Sequence, residues 1–298
     1  MQFRIVIKKW ANFYFFIQNL SEWHFSNRKT YNHIWRKQLG SFSPEENNAL
    51  AKFRKIRINY PESKSIFEHA FFTTNNPWPI LQEKLPINEM NNLRNVFVIF
   101  KKKFEFIYKQ DQPHLKSWKN NLKKRTDQKT LVGPITKILS VIYNTKPRRK
   151  QITIYLLLSS YLTTGGGVNI NNKSISLEIS RYPLSNIGNV LGVIWHEIIH
   201  LLFEKKHFIG LIRHHCPQIK DDTLNISEVT ARLLFPAGIL SHKFFATPLG
   251  GTGYIDTSNK KMKLLYRLIT QYTEQTELKP LDETYLTHLI AIIMNNKK

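Results

Sequence analysis

Apolar positions recur every three or four residues through Phe13, Phe16, Ile17 and Leu20, a spacing that predicts helices within residues 12–58. Inside that stretch Ser43-Pro44-Glu45-Glu46 reads as a helix start, with a capping hydroxyl and proline in the first turn. A further amphipathic helix is predicted over 88–108, where Leu93, Val96, Phe97, Phe100 and Phe104 share one side and Lys101 to Lys103 lie partly opposite. Between them Asn75-Asn76-Pro77-Trp78-Pro79 interrupts any period. Trp10, Trp23, Trp35, Trp78 and Trp118 fall in the same half and read as core rather than as a platform for stacking bases.

The pattern changes after Lys146-Pro147-Arg148-Arg149-Lys150, a charged break that places a boundary between a basic, mainly helical region 1–149 and a second region 150–298. Ile152 to Leu158 is a β-prone apolar run, and Gly165-Gly166-Gly167 reads as a turn or bulge. The triplet lacks the spacing of a phosphate loop. Ile175, Leu177 and Ile179 then alternate with polar residues across Ser174 to Ser180, which predicts a half-buried strand forming the second arm of a hairpin. From Ser185, read as an N-cap, positions 190–203 are almost entirely apolar, as in a helix buried on most sides. Leu281 to Met294 is predicted to be a closing helix. The expected fold class is α+β, with a small sheet packed on the buried helix.

Composition narrows the function. A chain of 298 residues with 42% hydrophobic and 22% charged residues has enough apolar mass for a sizeable core. Its one cysteine, Cys216, excludes an internal disulfide framework and any zinc site built from paired thiolates. Residues 1–20 lack the apolar centre of a signal peptide, and the apolar runs at 154–158 and 289–294 are far short of the roughly 18 to 20 residues of a membrane span. No transmembrane segment and a cytoplasmic location are therefore expected. Residues 1–150 hold 29 Lys/Arg and 10 Asp/Glu, net +19 of the chain's +23, while the remainder holds 15 and 11. Such a field attracts a polyanion, nucleic acid or an anionic membrane surface, unless it is simply a lysine-rich solvated surface.

Three titratable groups interrupt the buried helix: His196, Glu197 and His200. Burying them costs several kcal/mol unless something compensates, and a metal ion held by the imidazoles does so. Residues four apart share a helix face, so both rings can aim a nitrogen at one Zn²⁺ with Glu197 beside them. Random placement of 11 His and 15 Glu gives about 0.02 occurrences of His-Glu-x-x-His, too few for composition to explain it.

With this motif the chain resembles the zincin metallopeptidases over roughly residues 150–245. The resemblance implies a catalytic domain in which such a helix follows a sheet whose edge strand, here Ser174 to Ser180, binds an extended protein or peptide substrate. The metzincin continuation is absent, since Phe203 and Lys206 stand where glycine and histidine belong. In gluzincins a downstream helix supplies a third ligand, and Glu228 in Asn225-Ile226-Ser227-Glu228-Val229-Thr230-Ala231 is the preferred candidate. The other open reading of Glu228 is an exposed residue paired with Arg232. Arg232 replaces the aspartate of the thermolysin-like pattern, leaving Asp221 or Asp222 to orient a ligating histidine. His215, or its neighbour His214, is the rival ligand and is similar to the arrangement in SprT-like proteases of DNA-bound proteins, although Cys216-Pro217 departs from their continuation.

Three protein ligands leave zinc a position for water, and Glu197 is then the expected general base of peptide-bond hydrolysis. His242 and Tyr254 are candidate oxyanion donors, each also readable as an ordinary surface or core residue. Two alternatives remain: a nucleic-acid- or membrane-surface-binding protein with a degenerate zincin domain, and a zinc-bearing regulatory protein inactive on generic substrates.

Overall fold

The computed structural model describes residues 1–23, 29–60, 66–126, 129–147, 151–159, 165–169, 174–204, 207–215, 223–250 and 259–294. It is a mixed α+β fold, mostly helical, with one small four-stranded sheet. The chain opens with strand β1 (Gln2–Ile7), followed by helices α1 (Lys9–Ser21), α2 (Lys29–Leu39), α3 (Pro44–Asn59), α4 (Trp78–Lys84), α5 (Ile87–Thr126) and α6 (Lys129–Ile142). Strands β2 (Gln151–Leu157), β3 (Gly165–Asn169) and β4 (Ser174–Glu178) come next. The remaining helices are α7 (Ile187–Ile198), α8 (Phe208–His215), α9 (Thr223–Leu234), α10 (Ile239–Phe245), α11 (Lys260–Thr273) and α12 (Glu283–Met294).

The sheet order is β1-β2-β4-β3. β1 and β2 run parallel, as do β2 and β4, while β3 is antiparallel to β4. Ile152, Ile154, Leu156 and Leu157 of β2 are all buried, as expected of a parallel strand covered on both faces. Phe3 of β1 meets Trp195 of α7 edge-on at 6.0 Å on one face, and Tyr155 of β2 meets Phe72 of the first half at 5.1 Å on the other. Asn12 of α1 fastens that half to the end of β2, donating to Leu156 O at 3.0 Å and accepting from Leu158 N at 2.9 Å. A buried backbone pair satisfied in this way spares the penalty of two orphaned polar groups.

The predicted start of α3 is a capping box: Ser43 Oγ accepts from Glu46 N, and Glu46 Oε2 accepts from Ser43 N. Aromatic rings fill the core between α1 and α5, with Phe13 stacked on Phe104 at 4.2 Å and Phe71 on Phe97 at 5.0 Å.

Three expectations are corrected. Ser174 to Ser180 is not an edge strand: β4 lies between β2 and β3, and β3, which includes the three glycines expected to form a turn or bulge, ends the sheet. The first half is mainly helical, as expected, and adds one strand, β1, which pairs with β2 along its whole length. Ser185 is not the cap of the buried helix; it sits in a 3₁₀ turn, Leu184–Asn186, and Asn186 precedes α7 without a side-chain cap. Finally, Leu184–Phe203 is long and apolar enough to cross a membrane by length and composition, contrary to the expectation that no stretch reaches that length; 61% of its apolar 18-residue window is buried inside the protein, as in a core helix. Helix α12 matches the expected closing helix within two residues.

Candidate metal centre

Helix α7 brings His196 and Glu197 into the interior, and a π-helical turn, Ile199–Phe203, continues it through His200. Single π turns shift the register of a helix and often occur where side chains must be aimed. Here His196 Nε2 and His200 Nε2 face each other at 3.1 Å. Helix α9 approaches from the side and adds Glu228, whose Oε1 is 3.2 Å from His200 Nε2 and whose Oε2 is 3.5 Å from His196 Nε2. Among the described residues these three form the one cluster of metal-ligating type.

The other ring nitrogens are committed. His196 Nδ1 lies 3.0 Å from the carbonyl oxygen of Phe235, which can only accept, so this nitrogen carries the proton. His200 Nδ1 lies 2.7 Å from Glu204 Oε2, which also accepts from Ser227 Oγ at 2.7 Å. In the neutral rings both Nε2 lone pairs therefore point inward, alongside an anionic carboxylate. Glu228 Oε2 is buried and makes no hydrogen bond, although Arg232 Nε lies 3.3 Å away. With both rings neutral, three acceptors are turned on one point, an arrangement that a cation between them would satisfy.

The electrostatics agree. Burial lowers the affinity of His200 for a proton, but the carboxylates of Glu204 and Glu228 outweigh it and push its pKa up to about 10. Burial likewise raises Glu228, but His196 and His200 prevail and hold its carboxyl well below the usual range. The donor set fits zinc as well as a proton. Bonds of about 2.0–2.1 Å in a tetrahedron separate ligand atoms by about 3.3 Å, and the observed 3.1, 3.2 and 3.5 Å bracket that edge, the last two through different oxygens of Glu228.

Glu197 is buried one residue beyond His196 and turns towards the sheet. A Cβ on Gly166 of β3 would stand 2.9 Å from Glu197 Cγ and 3.0 Å from its Oε1. Burial pushes the Glu197 carboxyl up; His196 and His200 pull against this, and Glu228 and Glu178 add to it. A carboxyl with raised proton affinity beside a cation site is suited to taking up a proton.

Comparison with known protein families, curated proteins and solved structures finds no match.

His215 lies away from the cluster, with Nε2 2.9 Å from Glu283 Oε1 of α12. His242 Nδ1 is engaged by Thr247 O at 2.9 Å. Glu228 does pair with Arg232, the other reading of this residue, and contacts both histidines as well. Asp221, Asp222, Cys216, Tyr254 and Lys206 lie outside the described residues. The sequence reading missed Glu204, although its position four residues beyond His200 was a visible signal. The carbonyl of Phe235 has no signature in residue type.

Proposed function

We propose that this protein is a zinc-dependent metallopeptidase. The observation that supports it best is the convergence of His196 Nε2, His200 Nε2 and the Glu228 carboxylate, with the Nδ1 of each ring already held by Phe235 O or Glu204. His196, His200 and Glu228 would hold the ion. Zinc bound there supplies a Lewis acid that polarises a carbonyl and brings the pKa of a water towards about 7.

The remaining chemistry belongs to the chain. Glu197 takes the proton of the attacking water and delivers it to the departing amine, a role favoured by its burial and raised proton affinity. Strand β3, last in the sheet and lying against Glu197 at Gly166, offers a backbone edge along which an extended protein or peptide segment can pair. Glu204 and Phe235 O fix the two rings, limiting the reorganisation needed during reaction. The pairing of His215 with Glu283 favours this gluzincin-like ligand set over the SprT-like one.

Elemental analysis and hydrolysis of unfolded casein by purified variants test the reading. Glu197→Gln is expected to keep about one zinc per chain and lose hydrolysis by a factor of at least about 100. His196→Ala and Glu228→Ala are expected to lose both. Full zinc content in Glu228→Ala, or hydrolysis undiminished in Glu197→Gln, would overturn it.

A further inference from the structure

Helix α5 carries nine lysines and arginines between Lys101 and Arg125 and only two carboxylates, Glu105 and Asp111. Both acids are occupied. Glu105 pairs with Lys9 at 3.1 Å, and buried Asp111 binds Arg181 and Ser180 at 2.5 Å. Lys102, Lys109, Lys116 and Lys123 stand seven residues apart, and all four are exposed. Seven residues make nearly two helical turns, falling short by about 20°, so the four side chains follow one slowly drifting line. At about 1.5 Å per residue that line is about 31 Å long, with steps of about 10 Å. Exposed Lys119, Lys124 and Arg125 broaden its far end.

The opposite face of α5 narrows the choice of partner. Leu93, Val96, Phe100, Phe104, Leu115 and Leu122 are all buried in the core. A helix that anchors by inserting into a membrane surface needs such a face free, and here it is already used, leaving only headgroup electrostatics on that side. Val98 and Phe106 are exposed near the first lysines, but two side chains do not make an inserting face. What the ridge presents is a long row of flexible cations that drifts slowly round the helix and widens at its far end. Duplex nucleic acid presents its complement, a rod with one negative charge per about 1.7 Å of axis.

We propose that the lysine ridge of α5 docks the phosphate backbone of duplex nucleic acid without reading its sequence. The ridge shares no residue with the metal centre, and the docking does not depend on hydrolysis. Each of the four lysines displaces counterions from the duplex, so affinity falls steeply with salt.

The test uses the full chain and a fluorescein-labelled DNA duplex of about 20 base pairs, with anisotropy read at several salt concentrations. Binding is expected with a log–log salt slope of about −4. Replacing Lys102, Lys109, Lys116 and Lys123 together by Gln is expected to weaken binding at least about 30-fold at 0.1 M salt and to flatten the slope by about 3. These positions are exposed, and an unchanged circular dichroism spectrum verifies the fold. A control with Lys37, Lys84, Lys243 and Lys279 replaced, all exposed elsewhere, is expected to bind within twofold of the unaltered chain. Equal weakening in that control would show mere net charge and overturn the proposal. So would absence of duplex binding, or capture by vesicles containing about 30% phosphatidylserine through the ridge lysines while the duplex stays free.

Discussion

Glu204 stands behind the candidate ligands, holding His200 through its Nδ1 proton and held in turn by Ser227. An outer carboxylate of this kind sets the ring's tautomer and makes its inner nitrogen more basic, and losing one typically weakens metal binding 10- to 100-fold. Glu204→Ala is therefore expected to raise the zinc dissociation constant by about that factor in chelator competition. An unchanged constant would mean that His200 needs no orienting partner. Gly166 has a different effect because it restrains Glu197, the proposed base, rather than the candidate ligands. A methyl group there must displace Glu197, since it would lie 2.9 Å from a carbon near the base of that buried side chain. Misplacing a catalytic group by about 1 Å can cost up to about 100-fold in rate. Gly166→Ala is accordingly expected to keep full zinc content while hydrolysis falls at least about tenfold.

Helix α7 reaches its neighbours through a cleft made by Gly188 and Gly192, four residues apart. A Cβ at Gly192 would come within 2.8 Å of Pro236 Cα and Ser241 Oγ, so the helix is in direct contact with the segment whose Phe235 carbonyl holds His196. Alanine normally improves a helix over glycine by about 1 kcal/mol. At position 192 the sign is expected to reverse, with a loss of about 1–3 kcal/mol in urea unfolding, and weaker zinc binding as Phe235 O shifts. At Gly210 of α8, where no atom lies within 4 Å of the added methyl, alanine is expected to stabilise. The same elements show why sequence was legible in some places and not in others. Helix α7 was visible because three titratable residues stood out in an apolar run, and β4 because Ile175 and Leu177 alternate with serine. β3 has three glycines and hence no side-chain pattern. β1 buries only Ile5 fully, leaving too faint a period to recognise. The extension of α5 to Thr126 was hidden by Asp111 and Pro113, which break the apolar register; Asp111 is nonetheless buried, compensated by Arg181 and Ser180.

The candidate metal centre rests on parts supplied by the whole chain. β2 lies between β1 and β4, with six residue pairs to β1. Asn12 ties α1 to the end of β2, Tyr31 OH donates to Glu178 at the end of β4, and Trp118 Nε1 donates to Tyr182 O just before α7. In the other direction, Leu281 N donates to Ile142 O of α6. A fragment of residues 150–298 would expose the flank of β2, with its row of unpaired backbone groups, and uncover the sheet face that Phe72 packs against. Each lost hydrogen-bonded pair costs on the order of 1 kcal/mol, and each uncovered large side chain about 1.5–3 kcal/mol. Together these approach the 5–15 kcal/mol that stabilises an ordinary fold. The fragment is therefore expected to show no cooperative thermal transition by circular dichroism, and to bind zinc at least about 100-fold more weakly than the full chain, because the ligands must then be ordered at the expense of binding energy. A sharp transition with unaltered zinc affinity would show instead that α7, α9 and their three strands hold the site without support from β1 and α1.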